Sequence, residues 1–243
     1  MSINGDNMNP LDIYSQVESS LGFDEEIQRL HNYYIEQIEN SDTKSVLDIG
    51  CGQGDILAKI NSNYPKIKTL GIDLSQSQIE VCQSKNIDAK CTSLENLDNT
   101  KYDMIIAVFD VLNYIPKDEL KKFFADVKSR LNDGGKFIFD VNSLFGFEEV
   151  AQGCMIVKDD DEFISIDAIF EDEILHTTIN SFDKSFAQND TYYKRAKGTI
   201  KQYYHSNEII KKYSNMRVNK IDFFLHTDQE DGYADKTIYI LEN

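Results

Sequence analysis

VLDIGCGQGD, residues 46–55, joins three unlike pieces within ten residues. Val46, Leu47 and Ile49 form an apolar run short enough for a buried strand. Gly50, Gly52 and Gly54 follow at every second position, and Asp55-Ile56-Leu57-Ala58-Lys59-Ile60 opens an amphipathic helical pattern. Strand, glycine loop and helix in that order make a ligand cradle. The glycines let backbone approach a ligand, and the helix start presents unpaired N–H groups.

The spacing narrows the ligand. A dinucleotide loop needs Gly-x-Gly-x-x-Gly, and here Asp55 stands at the third glycine position. Asp48 and Asp55 flank the loop, and residues 46–55 carry no basic residue, so the loop suits a cation better than a pyrophosphate. S-adenosylmethionine carries a sulfonium and an ammonium and no phosphate. The next apolar segment, Thr69 to Leu74, ends in Asp73, at the offset of an acid that binds a ribose diol.

On these pieces the chain resembles the class I S-adenosylmethionine-dependent methyltransferases. VLDIGCGQGD (46–55), GIDLS (71–75), YDMIIAVFDVLNYI (102–115) and LNDGGKFIFDVN (131–142) stand at that family's intervals. The resemblance implies an α/β fold with a doubly wound, Rossmann-like, mostly parallel seven-stranded sheet and an N-terminal helical cap. For the cofactor it implies Asp48, Gly50, Cys51, Gly52, Asp73, Leu74 and Phe109, with Tyr14 closing the methionine end. The acid usual after the third strand is absent from CTSLENL, which leaves Ser93 or the backbone of Leu94 to read the adenine edge. Asp48 orients the loop or the methionine amine.

Around this centre, residues 24–39 repeat Ile27, Leu30, Tyr34 and Ile38 at helical spacing, with His31 as a further position on that helix. Strand patterns fall at 68–74, 87–92, 104–109 and 136–141, and helical ones at 76–85 and 117–131. Asn132-Asp133-Gly134-Gly135 reads as the stop of the last helix. Asp110, after Phe109, reads as a base, an amine ligand or a helix cap, and Asp140 and Asn142 reach the same edge. Asp110, Tyr114 and His205 are the catalytic candidates.

From about 154 to 204 the period becomes two: Ile164, Ile166 and Ala168, then Leu175, Thr177 and Ile179 after a Glu171-Asp172-Glu173 break, then Thr191 to Tyr204. An antiparallel sheet inserted before the last helix follows. It resembles the insert of the deoxyamino-sugar N,N-dimethyltransferases, although the Glu-x-His-x-x-Arg pattern of such relatives is replaced around Lys197, Thr199 and Gln202. The division is 1–150 with 205–243 as cofactor core and 151–204 as lid. Residues 206–213 read as a helix, and 216–225 with 237–241 as a closing strand pair, the last strand antiparallel.

Charge bounds the partners. The chain of 243 residues has 25 Lys and Arg against 42 Asp and Glu, a formal charge of −17, which opposes nucleic acid and anionic membranes. Residues 159–173 carry only acids (Asp159, Asp160, Asp161, Glu162, Asp167, Glu171, Asp172, Glu173), while 191–220 are basic. Two readings stand side by side: cross-strand pairing of these charges, and attraction of an anionic acceptor by Lys194, Arg195, Lys197 and Lys201. Cys51, Cys82, Cys91 and Cys154 form no C-x-x-C pair, and MSINGDNMNP shows no secretory pattern, so a cytoplasmic setting is expected. No membrane span and no metal are expected, and a homodimer is compatible with the sequence.

The expected function is methyl transfer from S-adenosylmethionine to an N or O nucleophile of a small molecule. The rivals are a non-catalytic S-adenosylmethionine-binding partner protein and an NAD-dependent oxidoreductase.

Overall fold

The computed structural model describes residues 10–17, 22–158, 162–187, 190–229 and 232–243. In chain order they form α1 (Pro10–Val17), α2 (Asp24–Glu39), β1 (Ser45–Ile49), α3 (Asp55–Asn63), β2 (Lys68–Asp73), α4 (Gln76–Ser84) and β3 (Ala89–Cys91). There follow β4 (Tyr102–Ala107), α5 (Leu120–Ser129), β5 (Leu131–Asn142), β6 (Gly153–Lys158), β7 (Glu162–Glu171), β8 (Ile174–Ala187), β9 (Asp190–Tyr203), α6 (Asn207–Ser214), β10 (Arg217–Phe223) and β11 (Lys236–Glu242).

Seven strands make one sheet in the order β10-β11-β5-β4-β1-β2-β3, with β11 antiparallel to both its neighbours. The order reverses at β1 and β4, and the cleft beyond their C-terminal ends is the ligand position of such sheets. Strand alternation divides the core. Leu47, Ile49, Ile105, Phe137 and Phe139 pack with Phe124 of α5 and Ile210 of α6, while Val46, Met104, Ile106 and Ile138 pack with Leu30, Tyr34 and Ile38 of α2 and with Ile56 and Ile60 of α3. By the same alternation Asp48 and Asp140 stand on the α2 face, fully buried. Phe139 ties the closing strand to the sheet by stacking on Tyr239 at 5.2 Å and 13°.

The inserted residues form a second, antiparallel sheet in the order β6-β7-β8-β9. Asp172 and Glu173 turn β7 into β8 at φ +50° and +62°, the doubly left-handed turn that suits the twist of a hairpin. Ile164, Ile179 and Ile200 of this sheet enclose Ile13 of α1. Gly198 allows the contact, because a Cβ there would lie 2.9 Å from the Cα of Pro10.

Several sequence expectations need correction. The helix expected over 117–131 begins at Leu120, since 117–119 form a turn. Asn132 to Gly135 is part of β5 and not a loop: Tyr102 pairs with Leu131 and Met104 with Lys136, so the extra residues bulge out of the ladder. Strand β6 was hidden because GCMIVK has no alternation, and Cys154, Met155 and Ile156 are exposed. The acids and bases of the insert do not face each other, because β8 lies between β7 and β9. Glu173 pairs instead with Lys117, and Arg195 bonds Asn180 and lies over Phe182. Asp159, Asp160, Asp161 and the side chain of Lys194 lie outside the described residues.

Gly50 has φ +71°, and a Cβ on it would lie 2.7 Å from Cγ2 of Val111, whereas Gly52 (φ +52°) meets nothing within 4 Å. Gly50→Ala is therefore expected to cost about 1–3 kcal/mol of stability, and Gly52→Ala less. Urea denaturation checks this, and equal midpoints for the two variants would contradict it.

Candidate active site

The glycine loop is tied to the next strand before any ligand enters. The N–H groups of Gly50 and Cys51 both donate to the carbonyl of Ile72, at 2.8 and 3.0 Å. At the end of β2, Asp73 accepts from the N–H of Gly52 through Oδ2 (3.0 Å) and from that of Ser75 through Oδ1 (2.8 Å). Both carboxylate oxygens are thus oriented by backbone, and each retains a lone pair. Ser75 caps α4, and its Oγ donates to Asp12 of α1 at 2.5 Å.

Over this loop lies a cavity of about 790 Å³, within the usual range for a small-molecule site. Asp48, Asp55, Asp73, Glu95, Glu119 and Asp126 line it, against Lys122 as its one lysine among the described residues. Lys122 is itself paired with Glu95. Asp48 is 1% exposed, and its Oδ1 has no hydrogen-bond partner. Burial, reinforced by the charge of Asp73, pushes its carboxyl well above the ordinary range. A cation placed against this oxygen would relieve both effects.

The opposite wall is built on strain. Phe109 and Asp110 follow β4 at φ +63° and +60°, a left-handed pair without glycine. Such residues cost roughly 1–3 kcal/mol each and persist where surroundings over-determine them. Here Asp140 does so: its Oδ1 accepts from the Phe109 N–H (2.9 Å) and the Tyr34 hydroxyl (2.8 Å), and its Oδ2 from the Asp110 N–H (3.2 Å). Lys236 of β11, 3% exposed, donates to Asp140 at 3.1 Å and pairs with Asp110. Two carboxylates share one ammonium. Burial, with Asp140 beside it, pushes Asp110 up to about 6 against the pull of Lys236. Burial alone would lower Lys236, but the two acids together hold it above its ordinary value.

The structure brings Asp48, Gly50, Cys51, Gly52, Asp73, Leu74, Ser93, Leu94, Phe109 and Tyr114 to this one cavity. Ser93 Oγ accepts from Asn96 at 2.9 Å. Tyr14 falls outside the lining and packs with the inserted sheet, while Leu11 of the same helix lines the cavity. His205 is buried away from it, with Nε2 2.9 Å from the carbonyl of Leu112. Asp110 stands behind the lining, at the N-cap position of the 3-10 turn Val111–Tyr114, but its side chain makes no capping hydrogen bond and is held by Lys236 and Asn142 instead. The loop does have a basic neighbour: Lys85, 30 residues on, reaches Asp55 at 2.7 Å and the Gln53 carbonyl at 3.1 Å. Of the acids at the loop, Asp55 is thus the one that a lysine offsets.

Two participants escaped the sequence reading. His31 is a buried wall of the cavity, packed edge-on to Phe109 at 5.8 Å. Its spacing of three from Tyr34 already placed it on the buried face. Lys236 gave no signal, since a lysine opening a strand normally reads as solvated. Among the described residues no group of acids, cysteines and histidines could hold a metal ion, and no helix is long and apolar enough to cross a membrane.

Comparison with known proteins agrees with this architecture. Residues 46–135 match the family model described as "Methyltransferase domain". An S-adenosylmethionine-dependent methyltransferase from Clostridium acetobutylicum ATCC 824 superposes with a TM-score of 0.75 at 25% identity, over 96% of each chain. An amino pentose methyltransferase from Micromonospora echinaspora, solved with S-adenosylmethionine bound, gives 0.71 at 12% identity, over 99% of this chain and 100% of that one. An uncharacterized protein of Rickettsia prowazekii (strain Madrid E) is 33% identical over 115 residues, 44% of this chain and 46% of that protein. This chain thus spans about half the length of that curated relative. It has the fold of the class I S-adenosylmethionine-dependent methyltransferases.

Burial first, then the charge of Lys59, lowers His31 to about 4. Unfolded, the ring would take a proton near 6.5. Stability present above pH 6.5 is therefore lost as pH falls from 6.5 through 4. NMR titration of the His31 ring should give a midpoint near 4, and a midpoint above 6 would contradict the assigned environment.

Proposed function

We propose that the chain is an S-adenosylmethionine-dependent methyltransferase acting on an N or O nucleophile of a small molecule. The observation that carries the proposal is the buried Asp48 oxygen without a partner, beside a doubly oriented Asp73, in a cavity walled by acids. A sulfonium cofactor with an ammonium group fits that donor set, and a pyrophosphate does not. Bound there, the cofactor supplies an activated methyl group.

In this reading Asp73 takes the ribose hydroxyls on its free lone pairs, and Asp48 takes the ammonium. Ser93 and the Leu94 backbone read the adenine edge, with Leu74 against the base. Gly50 and Gly52 keep the loop low enough for close approach, and Phe109 closes the methionine end. Residues 1–150 and 205–243 form the cofactor core, and 151–204 cover the acceptor side. Transfer is an in-line displacement whose main demand is alignment in a water-poor cleft, so orientation carries most of the rate. A base is required only if the nucleophile must lose a proton, and of the three candidates Tyr114 is the one on the cavity lining, whereas Asp110 stands behind it, paired with Lys236.

The charge of the site favours an amine or a neutral hydroxyl over an anionic acceptor, because Asp48, Asp73, Glu119 and Asp126 line it. The amino pentose named for one fold neighbour makes amino sugars a reasonable first panel. A formal charge of −17 weighs against a nucleic-acid acceptor.

Calorimetric titration with S-adenosylhomocysteine should show micromolar binding to wild type. Asp73→Ala should weaken it by about 1–3 kcal/mol, the cost of leaving hydroxyl partners unpaired. Formation of S-adenosylhomocysteine from S-adenosylmethionine with an amine or hydroxyl panel would complete the test. Failure of wild type to bind, or thermal protection by NAD instead, would overturn the proposal.

A further inference from the structure

His31 lines the cavity at 5% exposure, yet no step above uses it. Its tautomer is decided by a neighbour. Lys59 Nζ lies 3.1 Å from His31 Nδ1 and 2.7 Å from Gln28 Oε1. An ammonium can only donate, so Nδ1 accepts and the single proton of the neutral ring sits on Nε2. Phe109 holds the ring edge-on at an interplanar angle of 73°. The result is an N–H donor in one tautomer, on the lining of a cavity that also carries Asp48, Asp55 and Asp73. The N-cap of α3 is Gly54, which supplies no side-chain cap to the helix N–H groups.

Asp48 and His31 therefore present an acceptor and a donor to the same cavity, a match for the two ends of an α-amino acid. We propose that His31 binds the carboxylate of the cofactor's amino-acid end through Nε2–H, with Lys59 as the positioning residue that fixes the tautomer. This rests on the methyltransferase reading and adds a recognition role to a residue that the fold alone does not single out. It also separates the tasks of the cavity: Asp73 holds the nucleoside end, and Asp48 with His31 holds the zwitterion.

The test uses two ligands on the intact chain. S-adenosylhomocysteine carries the amino-acid end, and 5′-methylthioadenosine lacks both its ammonium and its carboxylate. His31→Phe should weaken S-adenosylhomocysteine roughly 10-fold, the worth of one hydrogen bond to a charged group, and leave methylthioadenosine unchanged. His31→Gln, which keeps an N–H donor, should recover most of the loss. In Lys59→Met, ¹⁵N spectra of the imidazole should show two tautomers in place of one. Equal affinity of His31→Phe and wild type for S-adenosylhomocysteine would overturn the inference, and so would equal weakening of both ligands. Wild type that binds neither ligand would instead remove the methyltransferase reading itself.

Discussion

Asp140 is the constraint on which the site depends. Its buried carboxylate accepts from Tyr34 of α2, from the consecutive N–H groups of Phe109 and Asp110 after β4, and from Lys236 of β11. Four donors from three segments far apart in sequence converge on two oxygen atoms. Without them the left-handed Phe109–Asp110 pair has no support, and Phe109 no longer faces the cavity. Such a group is stable inside a protein because every donor is supplied, and one of them is charged.

Asp48, two strands away on the same face, is the opposite case. It is equally buried, and one of its oxygens has no donor. An unsatisfied carboxylate is costly to a fold, so its presence beside Asp73 marks a place where stability is given up for a ligand. The same logic explains the cavity as a whole. Hydrophobic packing on both faces of the seven-stranded sheet carries the fold, and the strand ends at the topological switch hold strained backbone and unpaired charge.

Much of this was legible in the sequence because it is local. A strand, three glycines and a helix within ten residues can only be a tight turn at a sheet edge, and Asp73 follows at the end of the next strand. The apolar periods placed the strands, and the resemblance implied the mostly parallel seven-stranded sheet that they form. What could not be read depends on contacts made across the chain. Lys236 and Asp110 are 126 residues apart, and nothing near either announces the pairing. The basic strand looked complementary to the acidic one until β8 was found between them. His31 was readable as buried, but the lysine that fixes its proton comes from the face of α3 turned toward it. Tyr14 was placed by resemblance, and the close approach of α1 to Gly198 sets it against the inserted sheet, with Leu11 in the cavity.

The most direct measurement is thermal unfolding of wild type and Asp48→Asn, each with and without saturating S-adenosylhomocysteine. If the unpaired Asp48 oxygen exists to meet a cation, the variant should melt no lower than wild type when free, because a costly buried acid has been removed. It should then gain clearly less from the ligand. A variant that melts well below wild type when free, yet gains as much from the ligand, would mean that Asp48 serves the fold and not the cofactor.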